Sequence, residues 1–330
     1  MPSSGQKIAR LRLGVLCCRA VVGAMVVLVF LPIRISEANW LTDAFKGSSK
    51  PSKAAAHVAS LKRTGSAKHS ASPKSHHVKL AALGAAHLSL STLKAAPSKC
   101  DPKKFRVLLD VGHTAESEGA TSSRNVPEFA FNLRLARQID EKLKAEGFAE
   151  TRLLVTEGKA RPSLVKRVAV ANDWSADLFL SIHHDSVPDK LLEDWEFEGK
   201  KSHHSDRFSG YSVFVSHDNP DFKTSFSFAE MVAREMKARG LQYARQYTLP
   251  IMGHYQHPLL DKEAGVYSYD DLVVLRKTRM PAVLLEAGSI INRDEELRME
   301  SPERRDLVGN AVVAAAKDFC GPQEPFLGPL

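Results

Sequence analysis

The chain has 330 residues and a formal net charge of +8 with neutral histidines, but this charge is unevenly distributed. The first 99 residues carry 15 Lys and Arg against two acidic residues, whereas residues 100–330 carry 31 against 36. The part with globular composition is therefore mildly acidic. This distribution argues against a nucleic-acid enzyme, in which the folded domain usually carries the positive surface, so we expect no nucleic-acid partner.

Residues 1–38 have the pattern of a secretory signal peptide. Basic residues precede an apolar run over 20–33, and Ser36 and Ala38 fit the small residues of a cleavage site. An uncleaved signal anchor is the alternative, because 13–33 approaches the length that spans a bilayer. Both alternatives predict export to the periplasm or cell envelope. The membrane would be contacted only through this segment, and only if it is not cleaved.

Three further regions follow the signal. Residues 39–99 are rich in Ala, Ser, Lys and His and poor in large apolar residues, which predicts a basic disordered linker. The positive charge of this linker would also suit contact with anionic wall polymers or membrane headgroups. A solvated spacer is the simpler interpretation of the same composition. Residues 100–321 are expected to form the folded domain, and 322–330 a C-terminal tail.

From residue 100 onward, strand and helix patterns alternate. The apolar run at 105–111 predicts a strand buried on both faces. After Pro127, apolar residues recur at helical spacing until Gly147. Later strands are predicted at 152–156, 177–182, 211–216, 272–275 and 282–286, and later helices at 164–172, 226–239 and 303–319. This alternation predicts an α/β fold, a three-layer sandwich with a largely parallel central sheet and helices on both faces.

Four polar residues are expected at one rim of that sheet. His113, His183 and Glu286 each follow a predicted strand, and side chains at the carboxyl ends of strands converge. Glu128 opens the first helix, which returns over the same rim. Each residue alone has an ordinary structural explanation, but an acid directly after Ala-Val-Leu-Leu is costly to bury without a function. Two imidazoles and a carboxylate are a common zinc set, so the residues predict a metal-assisted amide or ester hydrolase.

The same positions carry a family resemblance. The motifs DVGH, RVAVAN, ADLFLSIHH and MPAVLLEAG, followed by IIN, occur in this order, with Glu128 fifteen residues after His113. The region 106–319 resembles the zinc-dependent N-acetylmuramoyl-L-alanine amidases that separate daughter cells. The resemblance implies that His113, Glu128 and His183 bind one Zn²⁺ per catalytic domain and that Glu286 is the catalytic acid and base. It implies peptidoglycan as substrate, cut between N-acetylmuramoyl residues and L-alanine of the stem peptide.

The chain departs from this family at several positions. Thr114 replaces a Gly after the first metal His, His184 replaces a small residue after the second, and Gly288-Ser289 replaces Gly-Phe. His184 is a candidate for a supporting position beside the metal ligands. Two alternatives remain open at this point: a zinc peptidase that cuts the stem peptide, and a catalytically silent wall-binding protein.

The long segment 185–210 has several possible roles: a wall of the substrate groove, a lid, a surface for a protein regulator, or a solvated insertion. The remaining histidines of the domain are expected at the surface or in the groove; they are His203, His204, His217, His254 and His257.

Cys100 and Cys320 lie at the two edges of the predicted domain, whereas Cys17 and Cys18 belong to the targeting segment. Because export would take the domain to a compartment where disulfides persist, we predict a Cys100–Cys320 disulfide. Two unpaired thiols are the alternative.

Overall fold

The computed structural model describes residues 100–321. The predicted signal segment (1–38), linker (39–99) and tail (322–330) lie outside the described residues. Within 100–321, every helix is too short or too polar to cross a bilayer.

Nine strands form a seven-stranded sheet and a separate hairpin. They are β1 (Val107–Val111), β2 (Thr151–Leu154), β3 (Leu178–Asp185), β4 (Glu193–Phe197), β5 (Lys200–His204), β6 (Ser212–Val215), β7 (Leu259–Asp261), β8 (Val266–Ser268) and β9 (Ala282–Ser289). The large sheet has the order β2-β1-β3-β9-β6-β8-β7, and β4 pairs with β5. Four neighbouring pairs of the large sheet are parallel, and only β6–β9 and β7–β8 are antiparallel.

Helices cover both faces of this sheet. They are α1 (Glu128–Ala145), α2 (Ala160–Trp174), α3 (Phe222–Ala238), α4 (Val273–Arg276), α5 (Arg293–Glu300) and α6 (Pro302–Cys320). One buried apolar cluster joins α1, α3 and α6 to the sheet, and another joins α2 and α4 to it. Successive strand residues alternate between the clusters, as Leu108 and Leu109 do. The predicted α/β sandwich is confirmed.

The bounds of α1 follow from its sequence. Pro127 precedes the first helical residue, and Gly147, at φ +94°, lies just beyond the end, where a left-handed residue terminates a helix. Leu135, Ile139 and Leu143 recur at four-residue spacing and are fully buried against the sheet. This packing fixes the first turn of α1, which carries Glu128, above the carboxyl ends of the strands.

One predicted strand is wrong, and several elements were not predicted. The strand predicted at 272–275 is instead the helical turn α4 at 273–276, because a four-residue apolar run has no period that separates a strand from a buried helix. The hairpin strands, β7, β8 and α5 have short or polar sequences that give no clear apolar pattern. Strand β3 also continues past its predicted end at residue 182 to Asp185.

The two edges of the domain meet at a disulfide. Cys100 precedes β1, Cys320 is the last residue of α6, and the bond between them brings their Cα atoms to 4.8 Å. The rings of Phe105 and Phe319 pack beside it, with centroids 5.8 Å apart.

Candidate metal centre

Three buried side chains meet at the carboxyl edge of the large sheet. His113 follows β1, His183 lies near the end of β3, and Glu128 is the first residue of α1. One donor atom from each lies within 4.8 Å of the others, and the residues are 8, 7 and 2% exposed, in that order. Sequence reasoning predicted this convergence from two strand ends and the start of the first helix. Within residues 100–321, this is the only His, Cys, Asp and Glu group arranged to hold a metal ion.

Glu128 lies between the two imidazoles. Its Oε2 is 2.9 Å from His113 Nε2, and its Oε1 is 3.0 Å from His183 Nδ1. Burial acts to raise the pKa of Glu128, but the contacts with the two histidines outweigh it and hold the pKa well below its usual range. Burial lowers the pKa of His183 despite Glu128. An ionised carboxylate beside a neutral imidazole is the protonation state that a divalent metal requires.

Two glycines leave room for this arrangement. A Cβ added at Gly112 would lie 2.4 Å from the ring of His183. At Gly119, where φ is +82°, it would lie 2.6 Å from Glu128 Oε2 and from the ring of His113. The backbone at these two positions therefore lies so close to the candidate ligands that only glycine fits.

A buried arginine fixes the loop that carries His113. Arg167 of α2 is 2% exposed, and its guanidinium donates to the Asp110 carboxylate and to the carbonyls of Val111 and His113. Ser181 Oγ donates to the other oxygen of Asp110 at 2.7 Å. Since His113 has φ +68°, these contacts hold a backbone conformation that is unfavourable for a residue with a side chain. Sequence reasoning missed this role, although Arg167 begins the RVAVAN motif.

Glu286 lies beside the candidate metal centre, opposite His183 in the pairing of β3 with β9. Burial raises the pKa of Glu286 well above its usual value, and the charges of Asp185 and Glu128 raise it further. Among the described residues, no hydrogen-bond donor reaches its Oε2 atom. A desolvated carboxyl group with one oxygen free of hydrogen-bond donors is suited to exchange protons with a bound molecule.

A second buried carboxyl group, which sequence reasoning missed, lies next to Glu286. Asp185 accepts hydrogen bonds from the Tyr247 hydroxyl at 2.6 Å and from Gln246 Nε2 at 3.2 Å. Burial raises the pKa of Asp185 to about 7. In the sequence, only the position of Asp185 two residues after His183 (SIHHD) could have indicated that it lies near the site.

The side chain of His184 points away from His183, towards α1. Its Nδ1 is 2.7 Å from Asn132 Oδ1. The other histidines of the described domain stand apart from the candidate ligands. His203 and His217 contact Asp194 and Asp270, while the His204 ring packs against Trp195.

The segment 185–210 folds into a short 3₁₀ turn and the β4–β5 hairpin. Trp195 Nε1 and Ser202 Oγ both donate to the Ser123 carbonyl at 2.8 Å, and the Ser205 amide donates to the Ile291 carbonyl at 2.9 Å. The hairpin is thus a regular element that hydrogen bonds fix to the loop preceding Glu128, although most of its strand residues are exposed.

Comparisons with known proteins agree with this geometry. A family model described as N-acetylmuramoyl-L-alanine amidase matches residues 107–318. A probable cell wall amidase of Staphylococcus aureus, LytH, is 26% identical over 215 residues, which are 64% of this chain and 57% of that protein. This chain therefore matches little more than half the length of that relative. The amidase Ami1 of Mycobacterium smegmatis has the same fold, with a TM-score of 0.51 at 22% identity over 67% of this chain and 98% of that one. The match over most of the described domain shows that the chain belongs to the N-acetylmuramoyl-L-alanine amidase family.

Proposed function

We propose that this protein is a zinc-dependent N-acetylmuramoyl-L-alanine amidase that cleaves the amide bond between N-acetylmuramoyl residues and L-alanine of the peptidoglycan stem peptide. The observation that carries the proposal is the buried group of His113, Glu128 and His183 beside Glu286, on a chain of this family. Family membership supports the identity of the bond. The side chains themselves support metal-assisted hydrolysis.

The candidate ligands fit one Zn²⁺ ion. Two imidazoles and one carboxylate are the protein ligands of many catalytic zinc sites and leave a fourth position for water or substrate. Gly112 and Gly119 have no Cβ atoms to occupy the space beside these ligands. Bound zinc would polarise the amide carbonyl and lower the pKa of the attacking water.

Glu286 is the proposed acid and base. Its carboxylate would take a proton from the attacking water and pass it to the nitrogen of the leaving L-alanine, so that the amide becomes an acid and a free amine. The raised pKa of Glu286 favours the second transfer, since a carboxyl group that holds its proton is the better acid for a leaving amine. Arg167 would keep His113 in place during both transfers.

The cellular setting is part of the same proposal. Peptidoglycan is the proposed substrate, and the domain at 100–321 would act in the periplasm or cell envelope after export. The 185–210 hairpin remains a candidate surface for a protein regulator, because its outer strand residues Glu193, Lys200 and Lys201 are exposed.

Digestion of purified peptidoglycan sacculi tests the proposed function. Mass spectrometry of the soluble products should show intact stem peptides with a free L-alanine amino group. A chelator should abolish their release, and added Zn²⁺ should restore it. Cleavage inside the stem peptide would instead identify a peptidase, and the absence of soluble products from zinc-loaded protein would identify a silent wall-binding protein.

A further inference from the structure

A buried amide connects Glu128 to a histidine outside the candidate ligand group. Asn132 lies one helical turn after Glu128 in α1, and the two residues are 0 and 2% exposed. Asn132 Nδ2 donates to Glu128 Oε1 at 3.0 Å and to the Gly112 carbonyl at 3.2 Å. One side chain thereby holds both a candidate ligand and the loop that leads to His113.

His184 completes this connection. Its Nδ1 is 2.7 Å from Asn132 Oδ1, and its ring packs against Phe131 with centroids 5.6 Å apart. Its backbone amide also donates to Glu128 Oε1 at 3.3 Å. His184 is 3% exposed, so both its side chain and its backbone support Glu128 from within the protein.

The partners of Asn132 determine the direction of each hydrogen bond. Glu128 Oε1 and the Gly112 carbonyl are acceptors, so the NH₂ group of Asn132 must face them. Its oxygen then faces His184, whose Nδ1 must carry the proton. If the amide turned over, its oxygen would face two acceptors, and its NH₂ would face an N–H. A donor at residue 184 therefore selects the amide orientation in which Asn132 supports Glu128.

We propose that His184, through Asn132, is a positioning residue for Glu128. The inference rests on the proposed function, because it assigns Glu128 to the zinc site. Groups that orient a metal ligand by hydrogen bonds raise metal affinity, and their loss typically costs about 10- to 100-fold. His184 would thus increase zinc affinity without touching the metal or the substrate.

The test compares the zinc affinities of variants at residue 184 whose side chains place a hydrogen-bond donor at different positions. Asn places an amide nitrogen near the position of histidine Nδ1, Gln places it farther out, and Leu has no donor. We expect His184→Asn to keep zinc affinity within about threefold of the unmodified chain. His184→Gln and His184→Leu should lower it by about 10- to 100-fold. Affinity is measured by competition with a chromogenic chelator, and the Co²⁺ absorption spectrum reports ligand geometry.

Two further variants separate positioning from stability. Asn132→Asp keeps the acceptor for His184 but replaces the donor to Glu128 with a carboxylate oxygen, so it should lower zinc affinity at least as much as His184→Leu. His203→Leu removes an exposed hairpin histidine and should change neither affinity nor spectrum. Melting temperatures of the metal-free proteins identify any variant that affects only folding.

The outcomes distinguish this inference from the proposed function. If the unmodified protein binds no zinc, the proposed function fails. If it binds one equivalent, and His184→Leu and Asn132→Asp bind it equally tightly with the same Co²⁺ spectrum, only the positioning role is refuted. If His184→Leu does not fold, equal zinc affinity of His184→Asn and His184→Gln refutes the positioning role as well.

Discussion

The surroundings of Glu286 favour a catalytic role of its carboxyl group over a structural one. A structural acid in a strand would need a cation, and Arg276 and Arg279, which shortly precede β9, are two candidates. In the structure Arg276 pairs with Asp271 at 3.6 Å, and the Arg279 amide donates to Asn172. The charges that shift the pKa of Glu286 are those of two other acids. The carboxyl group is therefore desolvated without a compensating charge from the described domain, as expected of a group reserved for chemistry.

We predict that Glu286→Gln lowers turnover on sacculi by about 10²- to 10⁴-fold, because the amide keeps the shape of the side chain but cannot accept a proton. Zinc content should stay at one equivalent. The melting temperature should not fall, since the surroundings of Glu286 favour an uncharged group and the amide is uncharged. Glu141→Gln, an exposed change on α1, is the matched control. Normal digestion by folded, zinc-loaded Glu286→Gln would exclude Glu286 from the mechanism.

Gly112 provides a second prediction at the residue scale. A Cβ at this position would lie 2.4 Å from the His183 ring, so Gly112→Ala should displace the imidazole and weaken zinc binding by at least about tenfold. Isothermal titration with Zn²⁺ measures the loss. Gly240→Ala is the control, because φ there is +82° but nothing lies within 4 Å of the added atom. It should lower the melting temperature and leave zinc affinity unchanged, whereas equal zinc affinity in both variants would contradict the steric argument.

The three candidate ligands could be predicted from sequence because each stands at the end of a regular element, and the parallel sheet aligns those ends. The residues that support them could not. Asn132 and His184 are 52 positions apart in the sequence, and Arg167 and His113 are 54 apart. The hydrogen bonds between them therefore depend on the packing of a helix against the sheet. Sequence periodicity indicates which helix face is buried, but not which polar atom on that face reaches a particular carbonyl or amide.

At the scale of elements, the segment after α3 forms an aromatic cluster on the face of the sheet that carries Glu286. The ring of His257 lies 5.2 Å from that of Phe214, 5.4 Å from that of Tyr247 and 4.3 Å from that of Tyr269. Its Nδ1 donates to the Ser268 carbonyl at 3.1 Å. Tyr247 in turn donates to Asp185, so this cluster supports the edge of the candidate site.

The buried ring of His257 predicts a pH dependence of stability. Burial lowers its pKa from 6.5 to about 4, outweighing the Ser268 carbonyl and the charge of Asp270. The folded state therefore favours the neutral ring, and this preference costs almost no stability when the pH is well above 6.5. As the pH falls from 6.5 towards 4, the unfolded chain takes up the proton first and stability declines. Between pH 7 and pH 5 the loss from this group should be about 2 kcal/mol.

His257→Asn tests this prediction, because Asn keeps a donor for Ser268 and does not titrate. Urea unfolding of metal-free protein at pH 7 and pH 5 should show a smaller pH-dependent loss of unfolding free energy in the variant than in the unmodified chain. Other histidines contribute equally to both proteins, so the difference isolates His257. Identical pH dependence in the two proteins would refute the assignment.

Elements with a clear apolar pattern, such as α1 and β9, were predictable from sequence, whereas short elements without one were not. The four residues of α4 contain too few positions to distinguish a period of 3.6 from a period of two. The β4–β5 hairpin has no apolar strand pattern, since its inward residues include Ser202 and His204. It is fixed by hydrogen bonds to Ser123, and such contacts leave no periodic trace in the sequence.

At the scale of the whole domain, the disulfide and the candidate metal centre lie at opposite edges of the sheet. Cys100 precedes the amino end of β1, and His113 follows its carboxyl end, with five strand residues between the two edges. The disulfide joins the beginning of the domain to the end of α6. Its effect should therefore be on global stability, separate from zinc binding and catalysis.

We predict that Cys100→Ser/Cys320→Ser lowers the free energy of unfolding by several kcal/mol. The bond closes a loop across a sequence separation of 220 residues, for which loop-closure entropy gives an upper value of roughly 5 kcal/mol. Chemical denaturation without reductant measures the loss. Because the candidate ligands are held by Arg167 and Asn132 at the other edge, the folded double variant should keep one equivalent of zinc and its activity at low temperature.

Thiol titration provides the direct check: reduction should expose two additional thiols per denatured chain. If reduction exposes none, the bond does not form in the protein; if the double variant loses zinc while still folded, the two edges are coupled and their separation is refuted.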